Sequence, residues 1–115
     1  MKKLPKPGAP VRGSRTGRPV MALLDLVGRR MTLRLIWELS RAPTPLTFRA
    51  LQSAAETNPA LLNTRLRELR VAGLVLHDEG GYNLTQNGRE LAALLLPLTA
   101  WAERWARTRE MPLVS

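Results

Sequence analysis

A group of hydrogen-bonding side chains lies between Asn58 and Arg67. Asn63, Thr64 and Arg67 fall within about one helical turn, and they supply an amide, a hydroxyl and a guanidinium group. An amide can pair bidentately with adenine and a guanidinium with guanine, while a hydroxyl can bond to a base or touch a thymine methyl group. The same residue types are common on an ordinary solvated helix face. Their position in the fold must therefore decide between the two interpretations.

Patterns for catalysis and metal binding are missing from the sequence. The chain has no cysteine and a single histidine, His77. A lone histidine is more often a surface residue than a metal ligand or a general base. No serine has a histidine at helical or turn spacing, and no glycine-rich loop leads into a helix with a lysine in place. We expect no enzymatic activity, no cofactor and no metal site.

The formal net charge is +9 in 115 residues, and it is unevenly distributed. Six lysines and arginines and no acid stand in residues 1–18, whereas twelve arginines and nine acids follow. Basic segments of this kind suit nucleic acid or an anionic membrane surface, and a basic tail can also simply aid solubility. No apolar run approaches the roughly 20 residues that a membrane-spanning helix needs. We therefore favour nucleic acid over a membrane as the partner, and a cytoplasmic location.

Residues 1–17 combine this charge with many prolines and glycines and few apolar side chains. Such a composition predicts a flexible arm rather than a packed element. Basic arms of other DNA-binding domains enter a minor groove beside the main contact. We expect Arg12 and Arg15 to contact DNA in this way. The arm precedes one folded domain at 18–109 and a short tail at 110–115.

Helical periodicity begins after the arm. Pro19 suits the first turn of a helix that ends at Gly28, and a second helix spans about Arg30 to Arg41. The apolar residues of the first helix recur at i, i+3, i+4 and i+7: Val20, Leu23, Leu24 and Val27. The apolar side of the second helix consists of Met31, Leu35, Ile36 and Leu39.

Two further helices carry favoured N-cap residues. Thr47 caps a third helix, and Asn58 followed by Pro59 begins a fourth helix that runs to about Ala72, before Gly73. The side chains of the third helix that we expect to point inward are those of Phe48, Leu51 and Ala55. The fourth helix has an apolar side with i, i+4, i+7 spacing: Leu62, Leu66 and Leu69.

After Gly73 the apolar residues recur at every second position, which is the spacing of a β-strand. Alternating residues before and after the segment Asp78–Gly81 predict a β-hairpin with this segment as its turn. Thr85 can cap a last helix over about Gln86 to Arg107, which Pro97 should kink or divide. The apolar residues of this helix lie close to a heptad seam: Leu91, Leu94, Leu98, Trp101 and Trp105.

This order of elements is that of a winged helix-turn-helix, a mainly α fold with a small β-hairpin (α+β). The predicted third helix positions the fourth, which lies in the major groove with its N-terminal residues at the base edges. With the leucines of the fourth helix inward, Arg65 falls at the margin of its outer face. The candidate DNA contacts of the folded domain are Thr47, Arg49, Asn58, Ala60, Asn63, Thr64, Arg65 and Arg67.

A homodimer is expected because small domains often bury apolar surface between two copies. The terminal helices supply that surface, since heptad spacing is typical of helix packing. A groove between helices can also hold a ligand, so a small-molecule effector of unknown identity stays an alternative use of the same residues. The candidate interface residues are Val20, Leu24, Leu91, Leu94, Leu98, Trp101 and Trp105.

Several short motifs resemble those of the HxlR-type winged-helix regulators. Residues 19–28 and 33–39 resemble the opening helices of that family, and LREL (66–69) with AGLV (72–75) is similar to the end of its recognition helix. YNLT (82–85), followed by GREL, resembles the stretch after the family's wing. The resemblance implies a homodimeric bacterial regulator, associated with the nucleoid, that pairs through its terminal helices on a pseudo-palindromic operator.

Two features depart from the family pattern. Many members have a cysteine just before the proline of the first helix, used by some for redox sensing, and Arg18 stands there in this chain. Family wings are usually longer and carry basic or proline-rich tips, whereas this wing has Asp78 and Glu79 at its tip. Two acids near phosphate would repel it modestly, so we expect little DNA affinity from the wing.

The acidic wing also keeps two other functions open. The fold could serve as a winged-helix module for protein interaction, or the basic arm could bind nucleic acid without sequence preference. A sequence-specific regulator prefers its operator over random duplex by about 10³-fold or more at physiological salt. An arm-driven binder would lose nearly all affinity without residues 1–17, and an interaction module would bind duplex weakly in either form.

Overall fold

The computed structural model describes residues 18–109, so the predicted arm and tail lie outside the described residues. None of the helices in this range is long and apolar enough to cross a membrane. The elements follow in the order α1 (Pro19–Val27), α2 (Thr32–Arg41), α3 (Phe48–Ala55), α4 (Pro59–Val71), β1 (Val75–Asp78), β2 (Gly81–Leu84), α5 (Gln86–Leu95) and α6 (Pro97–Thr108). The mainly helical class with one small hairpin is confirmed.

Side-chain caps fix the starts of three helices at the predicted residues. Thr47 Oγ1 accepts a hydrogen bond from the Ala50 N–H at 3.1 Å, and Asn58 Oδ1 accepts one from the Leu61 N–H at 2.8 Å. Thr85 caps α5 in the same way. Each cap satisfies a backbone donor that the first helical turn leaves without an intrahelical partner.

The connection between α1 and α2 differs from the prediction. Met31 adopts a left-handed conformation with φ of 79°, and α2 begins after it at Thr32 rather than near Arg30. The apolar face predicted for α1 is also split, because Val20 and Leu24 are more than half exposed. The periodicity correctly identified the helix but could not tell which of its apolar residues meet the core.

One hydrophobic core joins α2, α3, α4, α5 and the hairpin. Leu35, Leu51, Leu62 and Leu69 are fully buried within it, and Leu66 is 1% exposed. All three leucines predicted for the inner side of α4 therefore pack inward. Burial on this scale stabilises the fold by roughly 1.5–3 kcal/mol for each leucine side chain, and it holds α4 at a fixed rotation about its axis.

The hairpin is tighter than the sequence predicted. Its strands pair antiparallel from Val75↔Leu84 to Asp78↔Gly81, so the turn consists of Glu79 and Gly80 alone. A third segment joins the sheet through Leu46, which exchanges two backbone hydrogen bonds with Tyr82, at 2.7 and 3.0 Å. This segment precedes α3, and the pairing ties the start of the helix-turn-helix to the hairpin.

The last predicted helix is divided at the expected place. α5 ends at Leu95 and α6 begins at Pro97, with Leu96 between them in a helical conformation. Proline has no N–H to donate, and its ring displaces the carbonyl one turn earlier. The break thus follows directly from Pro97.

Candidate nucleic-acid interface

The outer face of α4 presents polar side chains opposite the buried leucines. Asn63 and Arg67 are exposed, and Ala60 is exposed one turn before them. In the part of the chain that the structure describes, neither the Asn63 nor the Arg67 side chain makes a hydrogen bond or an ion pair. Their amide and guanidinium groups are therefore available to a ligand that lies along this face.

Two other predicted contacts on α4 have hydrogen bonds within the helix. The Thr64 hydroxyl donates to the Ala60 carbonyl at 3.1 Å, so its proton is engaged and only its lone pairs and methyl group remain for another contact. Asn58 uses its carboxamide oxygen to cap the helix. Asn58 therefore positions the helix, and only its amide nitrogen remains to donate to another group.

Arg65 lies apart from the face formed by Asn63 and Arg67. Its Nε donates to the Arg30 carbonyl at 2.7 Å, and its Nη1 contacts Oε1 of Glu68 at 3.0 Å. The side chain is 17% exposed. The structure thus directs Arg65 toward the α1–α2 connection, and its predicted DNA contact would require these bonds to break.

The helix preceding the turn contributes an exposed arginine. Thr47 is occupied in capping α3, and Arg49 stands in the first turn of that helix with its side chain exposed. Between the two helices, Glu56 adopts a left-handed conformation with φ of 54°. The short connection from Glu56 to Asn58 gives α3 and α4 their arrangement as a helix-turn-helix.

Arg70 belongs to the same surface and was missed by the sequence reasoning. It is exposed and stands two helical turns after Asn63, so both residues point to the same side of α4. Among residues 18–109, Arg49, Arg67 and Arg70 make no ion pair. The spacing of seven residues was the signal that could have identified Arg70.

The tip of the hairpin is acidic, as the sequence predicted. Asp78 Oδ1 accepts a hydrogen bond from the Gly80 N–H at 2.8 Å, which closes the turn, and Glu79 is exposed. His77 is an exposed strand residue whose ring stacks on that of Tyr82, with centroids 4.0 Å apart. Over residues 18–109 no group of acidic, histidine or cysteine side chains could hold a metal ion.

The terminal helices expose a large apolar surface. Leu94 is 75% exposed, and Trp101 stacks on Trp105 with ring centroids 5.7 Å apart while both rings remain about half exposed. The other exposed members of the predicted interface are Val20, Leu24 and Leu98. Leu91 differs from them, because it is buried in the core of its own protomer and has little surface to offer a partner.

A mostly apolar pocket of about 270 Å³ lies between α2 and the junction of α5 with α6. Its lining includes Leu33, Trp37, Leu95 and Leu98. Pockets of this lining suit small apolar molecules. The effector considered from the sequence stays a prediction.

Comparison with known proteins identifies the family. The model of the HxlR-like helix-turn-helix family matches residues 26–110, which is most of the chain. The chain belongs to the HxlR-like helix-turn-helix family. The resemblance stated from the sequence is thereby confirmed. This HxlR-like protein has no significant sequence match among curated proteins.

Solved structures show the same fold. A possible HxlR family transcriptional factor from Thermoplasma volcanium is 27% identical with a TM-score of 0.68, over 74% of this chain and 82% of that one. The quinone-bound YodB from B. subtilis is 26% identical with a TM-score of 0.68, over 74% of this chain and 96% of that one.

A MarR family protein is similar as well. Rv2887 from Mycobacterium tuberculosis is 30% identical with a TM-score of 0.62, over 78% of this chain and 69% of that one. These similar structures are winged-helix proteins. The family match and the similar transcription factor support a DNA-binding transcriptional regulator. Family and fold are thus those of transcription regulators.

Proposed function

We propose that the protein binds a specific, pseudo-palindromic operator as a homodimer, with α4 of each protomer in the major groove. The observation that carries this proposal is the outer face of α4. Asn63 and Arg67 are exposed there and have no partner within residues 18–109, and the buried leucines fix the rotation of the helix. Because these side chains are unpaired, they break no existing bond when they bond to base edges.

The exposed apolar surface of the terminal helices supports the homodimer. A soluble monomer rarely leaves several large apolar side chains exposed on neighbouring elements. Leu94, Leu98, Trp101 and Trp105 are such residues on α5 and α6. A twofold interface would cover the same surface on both copies and would present two copies of α4 to the two halves of a palindrome.

The acidic hairpin tip and the basic arm complete the proposal. Glu79 is exposed at the tip, so the wing adds little attraction to phosphate. Arg49 and Arg70 flank the outer face of α4 and can meet the phosphates beside the groove, and we assign additional phosphate contacts to the basic arm. The regulator thus depends on the helix and the arm more than on the wing.

The test is a selection of bound sequences from a random duplex library at physiological salt. We expect the wild type to enrich a palindrome and to bind it about 10³-fold or more tightly than random duplex. The Asn63→Ala and Arg67→Ala variants should each lose about 1–3 kcal/mol of base discrimination at one position of the half-site. Arg104→Ala, which removes an exposed arginine of α6, serves as the matched control and should select like the wild type.

The variant Arg67→Lys separates a base contact from a phosphate contact. Lysine keeps the charge but lacks the fork that pairs bidentately with guanine. If Arg67 contacts a base, the lysine variant should lose discrimination at that position while its salt dependence is unchanged. If the wild type enriches no sequence, the operator proposal fails. Weak binding of every duplex would then favour a protein-interaction module.

A further inference from the structure

Four charged side chains form a cluster between α1 and α4, which we call the α1–α4 ion cluster: Asp25, Arg29, Arg65 and Glu68. Arg29 Nη1 donates to Glu68 Oε2 at 2.6 Å, and Arg65 Nη1 donates to Glu68 Oε1 at 3.0 Å. Arg29 Nη2 contacts Asp25 Oδ2 at 3.1 Å. Two positive and two negative charges meet here, so the cluster is balanced.

The cluster is partly shielded from solvent. The exposed fractions of the four side chains lie between 14% for Glu68 and 28% for Asp25. Salt screens such pairs less than it screens pairs on an open surface. Hydrogen bonds between ionised groups are also strong and depend on direction, whereas apolar attraction does not. The cluster can therefore fix an orientation that apolar contact alone would leave loose.

This directional link joins α1 to a core whose central cluster contains no residue of α1. Leu23 and Val27 pack against the edge of the core at partial burial, and Ala22 and Leu26 are buried outside its central cluster. Arg65 adds a further tie, because its Nε donates to the Arg30 carbonyl in the α1–α2 connection. These polar contacts therefore tie α1 and the α1–α2 connection directly to α4.

We infer that the α1–α4 ion cluster determines which operator spacing the regulator accepts. This inference rests on the proposed function and includes Val20 and Leu24 of α1 in the dimer interface, since both are more than half exposed. In a helix-turn-helix dimer the separation of the two recognition helices sets the separation of the half-sites. A rigid link from the interface helix to α4 transmits the geometry of the interface to the groove. Arg29 and Glu68 are in this sense positioning residues for specificity.

The experiment starts from the operator that the wild type selects. A series of duplexes keeps both half-sites and lengthens or shortens the central spacer by one, two and three base pairs. Each added base pair moves the second half-site by about 3.4 Å and turns it by roughly a tenth of a helical turn. Affinity for every duplex is measured with the wild type and with Glu68→Gln, which keeps the shape of the side chain and removes its charge.

Glu38→Gln is the matched control. Glu38 pairs with Arg34 at 2.7 Å and is 15% exposed, close to the 14% of Glu68. The pair joins two residues of α2, and Arg34 also donates to the Ala54 carbonyl of α3 at 2.9 Å, so these contacts do not reach α4. The two substitutions therefore remove the same charge at the same burial, and they differ in whether a link to the recognition helix is removed.

We expect the wild type to prefer one spacing over its neighbours two base pairs away by about tenfold or more. The affinities of Glu68→Gln for the duplexes of the series should differ from one another by no more than about threefold. The variant should still select the same half-site bases, which a general loss of structure would not allow. Glu38→Gln should keep the wild-type spacing profile. If Glu68→Gln does not fold, Arg29→Lys takes its place, since a lysine cannot join two carboxylates with a fork.

Two results would overturn the inference. One is a wild-type spacing profile in folded Glu68→Gln or Arg29→Lys, and the other is an equal loss of preference in Glu38→Gln. Both presuppose that the wild type has selected a palindrome, so they leave the proposed function intact. A wild type that selects nothing refutes the operator itself and this inference with it.

Discussion

The Thr85 hydroxyl donates a hydrogen bond to the Gly73 carbonyl at 2.6 Å, which joins the end of α4 to the start of α5. The same oxygen accepts a bond from the Gly88 N–H at 3.0 Å, and the Thr85 N–H donates to the Leu74 carbonyl at 3.0 Å. Gly73 has a φ of 77°, in the left-handed region that glycine adopts without strain. One side chain thus holds both helices and the base of the hairpin together.

Replacement of Thr85 by alanine should lower the free energy of unfolding by about 1–2 kcal/mol, because a cap and a second hydrogen bond are removed together. Urea denaturation measures the change. Thr85→Ser keeps the hydroxyl, so its free energy of unfolding should be close to that of the wild type. Thr108→Ala is the control, since its hydroxyl bonds to the Trp105 carbonyl within the last exposed turn of α6. An equal loss in Thr85→Ala and Thr108→Ala would contradict the assignment.

Gly88→Ala should lower the free energy of unfolding by more than Thr85→Ala does. A Cβ on Gly88 would overlap the Leu74 carbonyl oxygen, although alanine favours a helix by about 1 kcal/mol over glycine. Overlap with backbone in a packed site costs about 3 kcal/mol or more, so we expect a net loss of about 2 kcal/mol or more. A Cβ on Gly80 would meet only the Asp78 carboxylate at 3.3 Å and Pro45 at 3.6 Å. Gly80→Ala should therefore have a free energy of unfolding close to that of the wild type, as measured by urea denaturation.

The features that the sequence predicted best are local ones. A cap such as Asn58 bonds to an N–H three residues away, so its signal lies within one helical turn. The buried side of α4 follows from spacing alone for the same reason. The pairing of Leu46 with Tyr82 was not predicted, because it joins segments more than thirty residues apart and Leu46 stands in no periodic pattern.

The same difference between local and long-range contacts explains which residues of the candidate site the sequence placed correctly. Helical geometry placed Asn63 and Arg67 on the outer face, and the structure agrees. Arg65 stands at the margin of that face, where geometry alone does not settle the direction of a long side chain. Its direction depends on Glu68 and on Arg30, which lies 35 residues earlier in the chain. Only the fold brings these groups together.

Substitution of Trp101 by glutamate should separate the proposed dimer. A charge without a partner in a buried interface costs at least about 3 kcal/mol, which weakens association by a factor of about 100 or more. Sedimentation velocity measures the change in dissociation constant. Leu76→Glu replaces an exposed apolar residue of β1 that lies outside the proposed interface, and it should leave association unchanged. Loss of the dimer in both variants, or in neither, would refute the assigned surface.

The contribution of the basic arm can be measured through salt. In a plot of log affinity against log salt concentration, removal of one phosphate-binding charge lowers the slope by about 0.9. The double variant Arg12→Ala/Arg15→Ala should therefore have a slope lower by about 1.8 for each arm that binds. Arg104→Ala/Arg107→Ala removes the same charge from α6 and should keep the wild-type slope. Equal slopes in the two double variants would mean that the arm adds only to the overall charge, and α4 with its flanking arginines would then account for the phosphate contacts.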